Sequence, residues 1–311
     1  MKKKVILLVL LLIVLAALFI PVSQQRSETI KASFFNTYQQ LGAAGNWQKW
    51  RSDLRKTWLT DSSKISIRKD QNDFTLAYND LTIQVKPVNG YSFSVTEQTE
   101  YGSLDYGFTL IPAKNPDEAM LSVTQRTSLI HYLFGGEDLS ATHAADLKRF
   151  MESPDLYYGF HIIKMHVTDT ALVVTGKTVP GKDKFTEAAK LLDELRQYIA
   201  KNGLRQTQPL IAQFLPGRRD SIRLKIGIPV NKKAHSEAPF SYMTMPSSGY
   251  FYTTVFRGKF SDRQKAYAAI YHYFKDRTMQ VPILPFDTYL DNKLPASDTD
   301  RVNIRVNFST F

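Results

Sequence analysis

The second half of the chain repeats one order of predicted elements, and this repeat limits the possible folds more than any other feature. A strand over 170–180 and an amphipathic helix over 183–202 are followed by two strands, and the same order returns between 249 and 308. Ile226 and Ile304 begin similar segments of the last strand in each repeat, at an offset of 78 residues. We therefore expect two α+β units side by side, with a cleft along their pseudo-twofold seam.

Short alternating runs between 64 and 127 predict a meander of antiparallel strands in the first half. Asn89-Gly90 lies between two of these runs as a hairpin turn. A helix begins after Ser33, whose hydroxyl can cap it, and a second amphipathic helix is predicted over 139–151. This order predicts a curved sheet that grips a helix.

The N-terminus combines lysines with a long apolar run. Lys2–Lys4 precede an unbroken apolar segment, Val5–Ile20, which falls just short of the roughly 20 residues that span a bilayer. Pro21 and Val22 can lengthen it. The run is longer than a typical secretory signal and no Ala-x-Ala site follows it, so we expect an uncleaved membrane anchor, with a cleaved signal sequence as the alternative. The lysines then place residues 23–311 on the extracytoplasmic, periplasmic side, with membrane contact through residues 5–20.

Charge and composition exclude several classes of function. The net charge of +11 comes from dispersed lysines and arginines, without the basic helix of a nucleic-acid-binding protein, so nucleic acid is not expected as a partner. The chain has no cysteine, which excludes disulfides and thiol chemistry. His161 and His166 fall on opposite faces of a predicted strand, and no phosphate-binding or dinucleotide-binding loop is present. We expect neither a metal nor a cofactor.

Four segments of the second half resemble the GyrI-like, or effector-binding, family of small-molecule-binding domains. They are Asp220–Val230, Met245–Tyr252, Phe256–Phe260 and Pro285–Leu290. The resemblance implies a duplicated α+β domain over 155–311, with repeats over about 155–232 and 238–311. It also implies a ligand cleft between the two repeats.

The segment Asn46–Trp50, after the first predicted helix, is similar to the START-like, or polyketide cyclase/SRPBCC-type, helix-grip family. The resemblance implies a degenerate helix-grip domain over 27–153, after an anchor or signal sequence over 1–26. The expected fold class is therefore α+β, with an N-terminal transmembrane helix, a START-like domain and a duplicated GyrI-like domain with pseudo-twofold repeats. Three tryptophans are candidates to line a helix-grip cavity or to anchor the loop after the helix: Trp47, Trp50 and Trp58.

The GyrI-like resemblance also implies site residues. Many members carry a buried Glu on the last strand, and Asn303 occupies that position here. An amide cannot act as a base or nucleophile at neutral pH, and it carries no negative charge. The sequence therefore argues against hydrolysis and against strong recognition of a cation. Arg305 faces the same side of the strand and can favour an anion. The aromatic residues expected nearest the cleft are Tyr158, Phe160, Tyr242, Tyr252, Phe256, Tyr267, Tyr271 and Tyr289.

Three functions stay open from the sequence. The first is a non-enzymatic envelope protein that binds an apolar or amphipathic small molecule between the C-terminal repeats. The second is a GyrI-like hydrolase that uses tyrosines with Asp287, and the third is an envelope scaffold with no ligand. A cavity with no buried carboxylate would favour binding, and a cavity that contains one would favour hydrolysis. A seam between the repeats that is filled by side chains would favour the scaffold.

Overall fold

The chain divides into two compact units between Tyr157 and Tyr158. Each unit is built on one antiparallel sheet and has its own hydrophobic core. The computed structural model describes residues 21–100, 102–129, 139–166, 171–245 and 249–310.

The chain enters unit 1 as a strand and not as the end of a membrane helix. Pro21–Ile30 forms β1, which pairs along its whole length with β7 (Ala119–Ser128). Pro21 and Val22 therefore do not lengthen an apolar span, because their backbone is paired in a sheet. The transmembrane helix expected over 5–20 lies outside the described residues, and no helix in the described part of the chain is long and apolar enough to cross a membrane. The expected fold class is corrected to two antiparallel α+β units, and the extracytoplasmic location stays a prediction.

Unit 1 is a seven-stranded antiparallel sheet in the order β1-β7-β6-β5-β4-β3-β2, in which β2 to β7 form a meander and β1 is added beside β7. Strands β2 to β6 are Ser66–Asp70, Asp73–Tyr78, Leu81–Asn89, Ser92–Thr99 and Gly102–Pro112. Helices α1, α2 and α3 precede β2, and they are Phe34–Gly42, Ala44–Trp50 and Ser52–Asp61. Helices α4 (Leu139–Glu152) and α5 (Pro154–Tyr157) follow β7.

Two tryptophans fix the N-terminal helices of unit 1. Trp47 and Trp50 are 0% and 1% exposed. The indole nitrogen of Trp47 donates to the carbonyl of Leu41 at 2.8 Å, and that of Trp50 donates to the carbonyl of Gln40 at 3.3 Å. Carbonyls at a helix end lack intrahelical partners, so these bonds hold the end of α1 while the rings fill the core. Both residues therefore act as anchors.

A buried ionic network joins the helices of unit 1 to the middle of its sheet. Arg51 is 1% exposed, and its guanidinium lies 2.6 Å from Glu97 of β5 and 2.6 Å from Asp53. The Tyr106 hydroxyl donates to Glu97, and Nε2 of His143 on α4 lies 3.2 Å from the same carboxylate. Burial favours the neutral acid, but His143 and Arg51 outweigh it and lower the pKa of Glu97 to about 2.

We expect Glu97→Gln to destabilise unit 1 by about 3 kcal/mol, because the buried Arg51 guanidinium loses a counter-charge. Tryptophan fluorescence during urea unfolding measures this effect, since all three tryptophans of the chain lie in unit 1. Glu100→Gln is the control, because Glu100 is exposed just after the same strand, and we expect a change within about 0.5 kcal/mol. Equal unfolding free energies for the two variants would contradict a stabilising role of the network.

Unit 2 is an eight-stranded antiparallel sheet in the order β12-β9-β11-β10-β14-β15-β13-β8. Its strands are β8 (Ile163–His166), β9 (Ala171–Pro180), β10 (Ile211–Pro216), β11 (Ser221–Val230), β12 (Ser241–Thr244), β13 (Tyr250–Lys259), β14 (Phe286–Tyr289) and β15 (Arg301–Thr310). Helix α6 (Lys184–Lys201) connects β9 to β10, and α7 (Gln264–Asp276) connects β13 to β14. The order strand, helix, strand, strand therefore occurs twice.

The two repeats of unit 2 meet at the centre of the sheet. There β10 pairs with β14, and Ala212 lies opposite Asp287. The strand that precedes each repeat pairs with the other repeat, since β8 pairs with β13 and β12 pairs with β9. The sheet is thus continuous across the seam.

Equivalent turns define how the two repeats align. The amide that follows β9 donates to the carbonyl of Asp220 at 2.8 Å, and the amide that follows β13 donates to the carbonyl of Asp300 at 2.9 Å. Counted from these turns, Ile226 corresponds to Val306 and not to Ile304. The predicted alignment was wrong by two residues, a shift that keeps the same face because side chains alternate along a strand.

Helices α6 and α7 cover one face of this sheet. Ile226 and Val306, with alternate residues along their strands, pack in one core with Leu195 of α6 and Ile270 of α7. The residues between them point to the opposite face, where loops and not helices are placed in the described part of unit 2.

Candidate functional site

A cavity of about 420 Å³ lies on the face of the unit 2 sheet opposite α6 and α7. Its floor includes residues from β9 and β11 of the first repeat and from β14 and β15 of the second, so it crosses the seam. Apolar side chains form most of the wall. They include Leu172, Val174, Ile211, Met243, Met245, Phe251, Pro282, Ile283, Leu284 and Phe286.

One glycine keeps the floor of the cavity open. Val174 and Ile211 lie opposite Gly227 on the two neighbouring strands. A Cβ atom added at Gly227 would lie 3.0 Å from a side-chain carbon of each neighbour. That distance is closer than an ordinary van der Waals contact, so a side chain at residue 227 would displace Val174 and Ile211 by a few tenths of an ångström and fill part of the floor.

Two chain segments border the cavity above the floor. Residues 282–284 belong to the loop after α7, and residues 243–245 are the end of β12 and the residue that follows it. The side-chain amide of Gln213, on the cavity face of β10, donates to the carbonyls of Leu284 and Pro285, both at 3.0 Å. Because an amide group has two N–H donors, Gln213 uses its donor capacity to hold the 282–285 segment in place.

Few polar groups reach the cavity. The hydroxyl of Ser309 is buried and has no hydrogen-bond partner among the residues that the structure describes. Lys225, on the face of β11 that carries Gly227, is the one charged residue in the described lining, and no carboxylate lines the cavity in that part of the chain. The site can therefore hold an apolar molecule and orient a polar group, but it presents no acid for general acid–base chemistry.

Most aromatic residues predicted for the cleft lie on the other face of the sheet. Tyr252, Phe256 and Tyr289 are buried in the core beneath the helices. Tyr267 of α7 packs against that core, and Tyr271 is 50% exposed on the same helix. None of the five belongs to the described lining of the cavity. Adjacent strand residues point to opposite faces of the sheet. A position within the repeat therefore does not tell on which face a ring lies, and these rings lie on the helix side.

The other predicted residues also lie outside the cavity wall as described. Tyr158 donates a hydrogen bond to the end of α7, and Phe160 and Tyr242 are partly buried against the same core. Asn303 and Arg305 do lie on the cavity face of β15, where Asn303 accepts a hydrogen bond from an arginine of β13 at 3.2 Å. A ligand contact for these residues stays a prediction.

Asp287, the acid of the hydrolase hypothesis, is buried on the helix side of the sheet. It is 1% exposed, it accepts a hydrogen bond from the Tyr267 hydroxyl at 2.7 Å, and it lies 3.5 Å from Nε of Arg263. Burial raises the pKa of Asp287 to about 6, because it outweighs the support that Tyr267 and Arg263 give to the carboxylate. Its neighbour Phe286 lines the cavity, so the carboxylate points away from it.

Several solved structures are similar to parts of this chain. The EcmrR C-terminal domain matches with 15% sequence identity and a TM-score of 0.39, over 48% of this chain and 96% of that one. EcmrR in a complex with DNA matches with 12% identity and a TM-score of 0.41, over 58% and 76%. A START superfamily protein from Mycobacterium smegmatis matches with 13% identity and a TM-score of 0.29, over 42% and 97%. No protein-family model and no curated protein sequence matches the chain.

We expect Asp287 to make unit 2 less stable as the pH rises from about 4 to about 6. The unfolded chain loses the Asp287 proton near its ordinary pKa of 3.8, whereas the folded chain keeps it up to about pH 6, so the unfolded state binds fewer protons in this interval. Asp287→Asn should remove this slope, which amounts to a loss of unfolding free energy on the order of 2 kcal/mol between about pH 4 and about pH 6. Urea unfolding at several pH values measures this change in stability, with pulsed hydrogen exchange of the β10 and β14 amides as the probe for unit 2.

Asp291→Asn is the matched control for this experiment, because Asp291 is exposed just after the same strand. It should keep the wild-type slope. If Asp287→Asn also keeps that slope, another group titrates in this interval and the assignment to Asp287 is wrong.

Proposed function

We propose that unit 2 is a small-molecule-binding domain of the GyrI-like type, and that it holds an apolar or amphipathic molecule in the cavity opposite α6 and α7. The observation that carries the proposal is a cavity of about 420 Å³ with mainly apolar walls at the seam between two repeats. This volume falls in the usual range of ligand pockets. For unit 1 we propose the START-like helix-grip type, on the basis of its antiparallel meander and the helix α4 that follows it.

Burial of apolar surface would drive binding in this cavity. It contributes about 25 cal/mol for each Å² removed from water, and the loss of motion on association offsets part of the gain. Val174, Ile211 and Phe286 belong to paired strands, so the floor is ordered before a ligand arrives. Ile283 and Leu284 are 41% and 54% exposed, and a ligand that touches them would remove further apolar surface from water.

Hydrolysis and a scaffold without a ligand have less support than binding. The described lining of the cavity contains no carboxylate, and Asp287 lies across the sheet from it. A cavity of about 420 Å³ lies across the seam, whereas a scaffold without a ligand would be expected to fill it. Among the described residues, the carboxylate that hydrolysis needs does not line the cavity, and the filled seam that a scaffold predicts is not present.

We expect Val174→Phe to weaken the binding of an apolar fluorescent probe, N-phenylnaphthylamine, roughly tenfold or more, because the larger side chain occupies the floor of the cavity. Fluorescence titration gives the dissociation constant. Mass spectrometry of molecules that co-purify with the wild-type chain then tests for natural ligands of the same apolar class.

Val255→Phe is the control for the cavity variant. Val255 is 45% exposed on β13 and does not belong to the described lining. This variant should bind the probe like the wild type. Wild-type affinity in Val174→Phe, with its unfolding midpoint unchanged, would rule out this cavity as the binding site.

A further inference from the structure

We propose that the ligand of unit 2 is an amphipathic anion whose acid group pairs with Lys225 while its apolar part occupies the cavity. This inference rests on the proposed function and names the chemical class of the molecule bound at that site. Three observations support it: the charge of the lining, the charge of the whole cavity face, and the availability of hydrogen-bond donors.

Lys225 supplies the one formal charge in the described lining of the cavity. It is exposed, and no carboxylate in the described part of the chain lies within ion-pair distance of it. A free ammonium group at the edge of an apolar cavity favours a ligand that carries a negative charge next to an apolar body. A cationic ligand would place two like charges at this edge with no acid to separate them.

The rest of the cavity face carries the same sign of charge. Arg223 lies two residues before Lys225 on β11, and Arg305 lies on the equivalent strand of the second repeat, so all three project from the same face. The eight described strands of unit 2 contain a single acidic residue, Asp287, and it faces the helices. The face that borders the cavity is therefore positive on both sides of the seam.

Neighbouring donors are already occupied, which leaves Lys225 as the charged donor at its end of the cavity. Gln213 lies directly opposite Lys225 in the sheet, but its amide group donates to the carbonyls of Leu284 and Pro285. The ammonium group of Lys225 has three donors, and none of them has such a partner among the residues that the structure describes. Ser309 adds a buried hydroxyl that can accept or donate one further hydrogen bond.

Displacement of N-phenylnaphthylamine from the full chain by three ligands of equal chain length tests the charge preference. The ligands are decanoate, decanol and decylammonium, compared at about pH 8, where a carboxylate is ionised. We expect decanoate to bind roughly twofold to fivefold more tightly than decanol, which is the usual range for an ion pair with an exposed lysine. Decylammonium should bind most weakly.

Variants of Lys225 connect this preference to one residue. Lys225→Met should reduce the affinity for decanoate to that for decanol and leave decanol unchanged, Lys225→Arg should keep the preference, and Lys225→Glu should transfer it to decylammonium. Lys201→Met is the control, because Lys201 is exposed at the end of α6 on the helix side of the sheet.

The outcomes separate this inference from the proposed function. Two results would overturn the inference of an anionic ligand and leave the apolar cavity supported. One is equal binding of decanoate and decanol by the wild type, and the other is a decanoate preference that survives in Lys225→Met. Tighter binding of decylammonium would overturn it as well. If none of the three ligands displaces the probe and the probe itself does not bind, the proposed function fails and the inference fails with it.

Discussion

The pairing of β10 with β14 is the constraint on which the rest of unit 2 depends. It joins two similar repeats into one sheet, with Ala212 opposite Asp287 at the centre. Because strand residues alternate, this single register assigns every residue of the eight strands to the helix side or to the cavity side. Asp287 falls on the helix side and Phe286 on the cavity side, so the same pairing sets both the buried polar cluster and the apolar wall.

Much of the fold could be predicted from the pattern of the sequence. Alternating runs predicted β2 to β7, and the helices of unit 2 followed from apolar residues at helical spacing. Strand β1 was missed because its residues are mostly polar and follow an apolar run, so only its long-range pairing with β7 reveals it. The two-residue error between the repeats has a similar cause, since turn hydrogen bonds define that alignment and leave no periodic signal.

The site was harder to predict than the fold. Tyr252 was chosen for the cavity because it lies near the seam, whereas its neighbour Phe251 lines the wall. The two side chains point to opposite faces of β13, but aromatic residues occupy the consecutive positions 250–252, so the sequence shows no alternation that tells which ring faces the cavity. The lining by residues 282–284 could not be predicted either, because those residues belong to a loop that Gln213 holds through the backbone carbonyls of Leu284 and Pro285.

The exchanged strands β8 and β12 make the two repeats of unit 2 depend on each other. Each repeat receives its outermost strand from the segment that precedes the other repeat. A repeat on its own would therefore lack that strand and expose an unpaired sheet edge, which is a site for aggregation. Neither repeat is a complete sheet without the other, so unit 2 is expected to fold as a whole.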